Sequence, residues 1–106
     1  MLDAIARIGQ FLTDCSAADF LTDELRQAAV IRQLEIIGEA AARVSELTAG
    51  RFTAVPWRQL KAFRNLLIHE YFRVDAAEVW AAVETDLPHL HEQLVAVLEW
   101  LNEEAA

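Results

Sequence analysis

The chain has 106 residues, 55% of them hydrophobic, and a formal net charge of −8. That length suits one domain over residues 1–106 with a core of its own, and no apolar run approaches the ~20 residues that cross a bilayer. An acidity of this size argues against a nucleic-acid partner unless the charges are unevenly placed. Much of the apolar content is Ala and Leu, with only three Gly and two Pro, which predicts helices joined by short connections.

In chain order, the opening MLDAIARIGQFL sets Ile5, Ile8, Phe11 and Leu12 at helical spacing, predicting a helix from Leu2 to about Thr13. It lacks the basic-then-apolar order of a secretion signal, so a retained helix is expected. Cys15 is the single cysteine, which precludes an internal disulfide and fits a cytoplasmic location. A break follows from Asp14 to Thr22, where Ser16 is placed to cap a short turn carrying Phe20 and Leu21, and Thr22 or Asp23 to start the next helix. That second long helix is expected from Asp23 to about Leu47. Val30, Leu34, Ile37, Ala41 and Val44 form its seam, and Ile31, Ile36 and Ala40 widen the apolar face enough for more than one neighbour or another copy of the chain. Gly50 is the expected C-terminal cap. Pro56 begins a third helix running from Trp57 toward His69. Asp75 with Glu78 resembles a capping box opening the last helix, whose seam is Trp80, Val83, Leu87, Leu90, Leu94, Val97 and Leu101. Pro88 should kink or split that helix near Asp86. The predicted fold is all-α, an antiparallel bundle of four to five helices, with Trp57, Trp80 and Trp100 as core or interface anchors.

The chemistry concentrates in Arg64 to Phe72, RNLLIHEYF. Arg64, Asn65, His69 and Tyr71 stand in a run otherwise rich in Leu, Ile and Phe. A guanidinium holds a phosphate in a planar fork, and an imidazole moves protons near neutral pH. Charge reinforces this. Residues 51–73 carry Arg51, Arg58, Lys61, Arg64 and Arg73 against Glu70 alone, a local charge of +4, while the other four cations and sixteen acids leave −12 elsewhere. Arg58, Lys61 and Arg73 are therefore candidate nucleic-acid contacts, RNA or DNA. One straight helix cannot converge the central groups: Arg64 and His69 lie about 140° apart around its axis, and His69 and Tyr71 about 160°. Either the helix ends near His69, or a second chain completes the site.

Other constellations are weaker. Glu35 and Glu39 share a helix face, but a paired-metal site in a bundle also needs Glu-x-x-His on partner helices, and the nearest match, Asp86-Leu87-Pro88-His89, is broken by proline. Glu39 is expected at the edge of the active cleft or in an ion pair. His89 and His91 point to different sides of a helix, Cys15 has no base near it in sequence, and no metal site is expected.

RNLLIHEYF resembles the Arg-four-His-one-Tyr signature of HepT-like proteins in the HEPN superfamily, small helical ribonucleases. IRQLEIIGEAA (Ile31 to Ala41), VPWRQLKAF (Val55 to Phe63) and VDAAEVWAAVETDLP (Val74 to Pro88) are similar to the same family. The resemblance implies that Arg64 and His69 are a catalytic pair, with Asn65 orienting them, in metal-independent RNA cleavage at a site shared by two protomers of a homodimer. It further implies the toxin half of a type VII HepT/MntA toxin–antitoxin pair. There an MNT nucleotidyltransferase antitoxin silences the toxin by transferring AMP from ATP to the motif tyrosine, here Tyr71. No cofactor is expected in the chain itself. A different reading of the same residues is a non-catalytic helical module that binds a nucleotide or the nucleotidyltransferase.

Overall fold

Short polar side chains set four helix starts in the computed structural model, which describes residues 1–105. Helix α1 spans Leu2–Phe11. Helix α2 (Ala17–Leu21) opens with a reciprocal capping box: the Asp19 N–H donates to Ser16 Oγ and the Ser16 N–H donates to Asp19 Oδ2, both at 3.1 Å. The Ser16 backbone N–H, followed by its hydroxyl, holds the Asp19 carboxyl below its ordinary value of 3.8; desolvation opposes this and Arg26 adds a smaller attraction. Asp23 accepts the Arg26 N–H at 3.0 Å and opens α3 (Glu24–Ala42). Ser45 accepts the Thr48 N–H at 3.1 Å and opens α4 (Glu46–Arg51). Asp75 accepts the Ala77 N–H at 2.9 Å and opens α6 (Ala76–Ala81).

Two boundaries and one cap differ from those expected. The helix predicted to run to Leu47 stops at Ala42, because Ser45 offers its hydroxyl to the backbone of a new helix start. Gly50 does not cap a helix. It lies inside α4, and no described glycine has a positive φ. The box at Asp75 is half-formed, since Asp75 reaches Ala77 and Glu78 makes no return bond among the described residues.

Helix α5 (Trp57–His69) has the expected limits, with Pro56 at its N-cap. It ends where Glu70 leaves helical geometry at φ −127°, ψ 39°. A 3₁₀ turn, Tyr71–Arg73, follows. The Arg73 N–H donates to Glu70 O at 2.8 Å and the Val74 N–H to Tyr71 O at 3.2 Å. Near Pro88 the last helix changes to π geometry over Ala82–Asp86 before α7 (Leu87–Ala105). Proline has no N–H for the Glu84 carbonyl four residues back, and the wider turn accommodates that loss.

The longer helices form the predicted all-α bundle, with α2 and α4 as short connecting helices, and no strand occurs among the described residues. Helix α3 is central: α5 packs on one flank and α1 on another, while α7 packs on α1, and α2 on α3 and α6. Ile8, Phe20, Val30, Ile37, Leu67 and Val79 are fully buried. Val30, Leu34, Ile37 and Ala41 from the α3 seam, and Leu87, Leu90, Leu94 and Val97 from the α7 seam, all face inward. Trp80 packs against Phe20 with ring centroids 5.4 Å apart, and Trp100 meets Phe52 edge-on at 5.6 Å. The Trp57 indole N–H donates to Phe52 O at 3.0 Å, and the Gln93 amide donates to Ala54 O at 3.0 Å. These bonds tie the loop before α5 to both α5 and α7. The molecule measures 46 × 29 × 17 Å.

Candidate active site

Helix α5 divides into two faces. Leu60, Phe63 and Leu67 turn inward, with Leu67 wholly buried. Arg58, Lys61, Asn65 and His69 are all exposed. Their spacing of three, four and four places them within an arc of about 80°, a single polar stripe running to the helix end. Arg64 belongs to neither face. It is half-buried at the boundary, and its Nε is buried without a hydrogen-bond partner.

What holds Arg64 there is a close approach of α3. A Cβ built at Gly38 would overlap the Arg64 Cβ, lie 2.9 Å from its Cγ and come 2.8 Å from the Leu60 carbonyl oxygen. Gly38 is buried inside a 19-residue helix, four residues before its end, where glycine costs about 1 kcal/mol relative to alanine. The close contact accounts for it: any side chain would drive α5 off α3. Sequence reasoning did not single out Gly38, although an isolated glycine inside a strong apolar seam is a signal of close packing.

Charge pairing leaves the stripe uncommitted. Arg32 bridges Glu35 at 3.4 Å and Glu39 at 3.8 Å, so Glu39 is in an ion pair on α3. Arg73 pairs with Glu70 at 3.8 Å across the 3₁₀ turn, which engages the one acid of the basic segment. Among the described residues, neither Arg58, Lys61 nor Arg64 forms an ion pair. No side-chain hydrogen bond joins Arg64, Asn65, His69 and Tyr71, again among the described residues. The fold therefore gathers Arg58, Lys61, Asn65 and His69 on one stripe, sets Arg64 beside it at the α3 boundary, and carries Tyr71 and Arg73 on the turn beyond. Tyr71 is 49% exposed, and the next residue, Phe72, is 100% exposed with its ring edge-on to Tyr71 at 5.8 Å. Phe72 was also missed, since an isolated phenylalanine in sequence reads as core.

Among the described residues no three His, Cys, Asp or Glu side chains gather into a group able to hold a metal ion. No described helix is long and apolar enough to cross a membrane.

The family model for ribonuclease HepT-like proteins matches residues 1–97. The chain is 34% identical over 102 residues to a protein of Methanocaldococcus jannaschii named a gamma-glutamylcyclotransferase and, provisionally, an RNase. The match covers 96% of this chain and 46% of that protein. A probable ribonuclease HepT of Thermococcus cleftensis is 41% identical over 88 residues, covering 83% of this chain and 80% of its own length. A second M. jannaschii protein, also provisionally named an RNase, is 33% identical over 97 residues, covering 92% and 89%. This chain thus spans just under half of the first relative and most of the other two. No solved structure gives a significant match. With a family match over nearly its whole length and the all-α bundle that carries RNLLIHEYF at a helix end, the chain belongs to the HepT-like ribonuclease family.

Proposed function

We propose that the protein is a metal-independent endoribonuclease, the toxin of a type VII HepT/MntA pair, with Arg64 and His69 as its catalytic residues. The observation that carries this reading is the state of Arg64: a guanidinium anchored at the α3–α5 boundary with a buried Nε, no carboxylate partner among the described residues, and an exposed polar stripe beside it. Only the Nε of this guanidinium is buried without a partner, and its terminal nitrogens are the donors that can meet a phosphate oxygen.

The chemistry follows from the groups. The ribose 2′-oxygen attacks the adjacent phosphorus as His69 takes its proton, the bond to the 5′-oxygen breaks, and a second acid protonates that leaving oxygen. The products are a 2′,3′-cyclic phosphate and a 5′-hydroxyl. Arg64 stabilises the charge that builds on the non-bridging oxygens. Asn65, on the same stripe as His69, orients the catalytic pair, and Arg58, Lys61 and Arg73 supply attraction to the flanking backbone. One chain offers a single imidazole here. A homodimer that brings two such helix ends together supplies one histidine as base and the other as acid.

Regulation uses Tyr71. Its hydroxyl oxygen attacks the α-phosphorus of ATP on an MNT nucleotidyltransferase antitoxin, pyrophosphate leaves, and the tyrosine carries AMP through a phosphodiester. Half exposure of the Tyr71 side chain suits such a transfer. The added phosphate then occupies the positive field that RNA requires.

Cleavage of RNA by the purified protein tests the reading. Arg64→Ala and His69→Ala should each lower the rate by at least about a hundredfold, the scale of losing one electrostatic stabiliser or one proton-transfer group. Unchanged circular dichroism would show the fold intact. Equal cleavage by wild type and His69→Ala would refute the catalytic assignment.

A further inference from the structure

Resting on the reading above, we infer that Phe72 is a stacking platform for a base beside the scissile phosphate, so that the site takes unpaired RNA and rejects duplex. Phe72 is 100% exposed on the 3₁₀ turn that follows α5. It lies three residues after His69, so their Cα atoms are at most about 11 Å apart, which keeps the ring close to the reacting phosphate. Tyr71 stands edge-on to it at 5.8 Å and limits the directions the ring can take.

The surroundings favour a nucleobase over a protein surface. A protein interface of this type would present contiguous apolar side chains. Here the exposed apolar groups are few, Ile68 and the adjacent Tyr71–Phe72 pair, and they are separated and flanked by the exposed His69, Glu70 and Arg73. The one acid, Glu70, is paired with Arg73, and the stripe Arg58, Lys61, Asn65, His69 leads up to the turn. Aromatic rings set among cations are what a single strand uses: the cations follow the phosphates and the rings stack on bases. A base inside an A-form duplex is already stacked on both sides and cannot reach such a ring.

The test measures binding apart from cleavage. His69→Ala protein, combined with Phe72→Leu or Phe72→Trp, is titrated into labelled oligoadenylate, and into the same strand annealed to oligouridylate. Phe72→Leu should weaken binding to the unpaired strand about thirtyfold, the middle of the range for losing one stacked base. Phe72→Trp should retain it, and duplex binding should be equal in all three. Leucine matching phenylalanine on the unpaired strand would overturn the inference. So would a changed sedimentation coefficient in Phe72→Leu with RNA affinity unmoved, which would make the ring a contact between copies of the chain. If the parent protein binds and discriminates as stated but the wild type does not cleave, the ribonuclease reading fails and the platform stands. If the wild type cleaves while Phe72→Leu binds normally, the platform fails and the ribonuclease reading stands.

Discussion

Gly38→Ala tests the packing that positions Arg64, and its sign is opposite to the ordinary rule. In a helix interior alanine is favoured over glycine by about 1 kcal/mol, so the local expectation is stabilisation. At Gly38 the added methyl would overlap the Arg64 Cβ and press on the Leu60 carbonyl at 2.8 Å and the Arg64 Cγ at 2.9 Å. A backbone carbonyl within α5 cannot swing aside as a side chain end can, so α5 must move as a unit. Overpacking of this kind costs about 1–3 kcal/mol, and contact with backbone puts it at the upper end. The net effect is a loss of about 2 kcal/mol, or on the order of 10 °C in Tm for a domain of this size. Urea denaturation followed by circular dichroism measures it, with Gly9→Ala as the matched control. Gly9 also lies within a helix, and nothing is within 4 Å of the position its Cβ would take. That substitution should stabilise by about 0.5–1 kcal/mol. The same displacement of α5 would carry Arg64 away from its place, so Gly38→Ala should cleave RNA more slowly even where it is fully folded. If Gly38→Ala is as stabilising as Gly9→Ala, α3 and α5 are not in the contact that positions the guanidinium, and the account of Arg64 is wrong.

Two further expectations concern the turn and a cap. Co-expression with an active MNT nucleotidyltransferase should add the mass of one AMP to the wild type and none to Tyr71→Phe; an unmodified wild type, or a modified Tyr71→Phe, would refute Tyr71 as the acceptor. The lowered Asp19 carboxyl predicts that its contribution to stability is complete above its ordinary value of 3.8 and drains away as pH falls through its lower folded value. The gap in urea midpoint between wild type and Asp19→Asn should therefore be widest near neutrality and close in acid, whereas a gap independent of pH would remove the ionised Asp19 from the account.

How much of this was legible in the sequence depended on whether the deciding contact was local. The limits of α5 could be read because Pro56 and the new capping signal at Asp75 act within a few residues, and the Pro88 interruption because the missing N–H is a property of one residue. The stop at Ala42 was hidden: Val44 continues the apolar seam, and only the choice of the Ser45 hydroxyl to bond Thr48 ends the register. The glycines show the contrast most sharply. Gly50 stands where a helix was expected to end, yet its helix runs through it. Gly38 looks like a defect in a helix, yet it is the one glycine of the three with atoms against its vacant Cβ position. Its meaning is supplied by α5, twenty-six residues later in the chain at Arg64. The candidate site divides in the same way. Its residue types and its local charge are one-dimensional facts, and the proposed chemistry is argued from them. That His69 shares an exposed stripe with Asn65 follows from helix geometry alone. That Arg64 sits half-buried beside that stripe, held by a glycine on another helix, does not. Nor does the full exposure of Phe72, since hydrophobicity assigns it to a core that the turn after Glu70 carries it away from. The groups that do the proposed chemistry are thus written locally, while the groups that aim them and select what they act on are set by packing and by exposure.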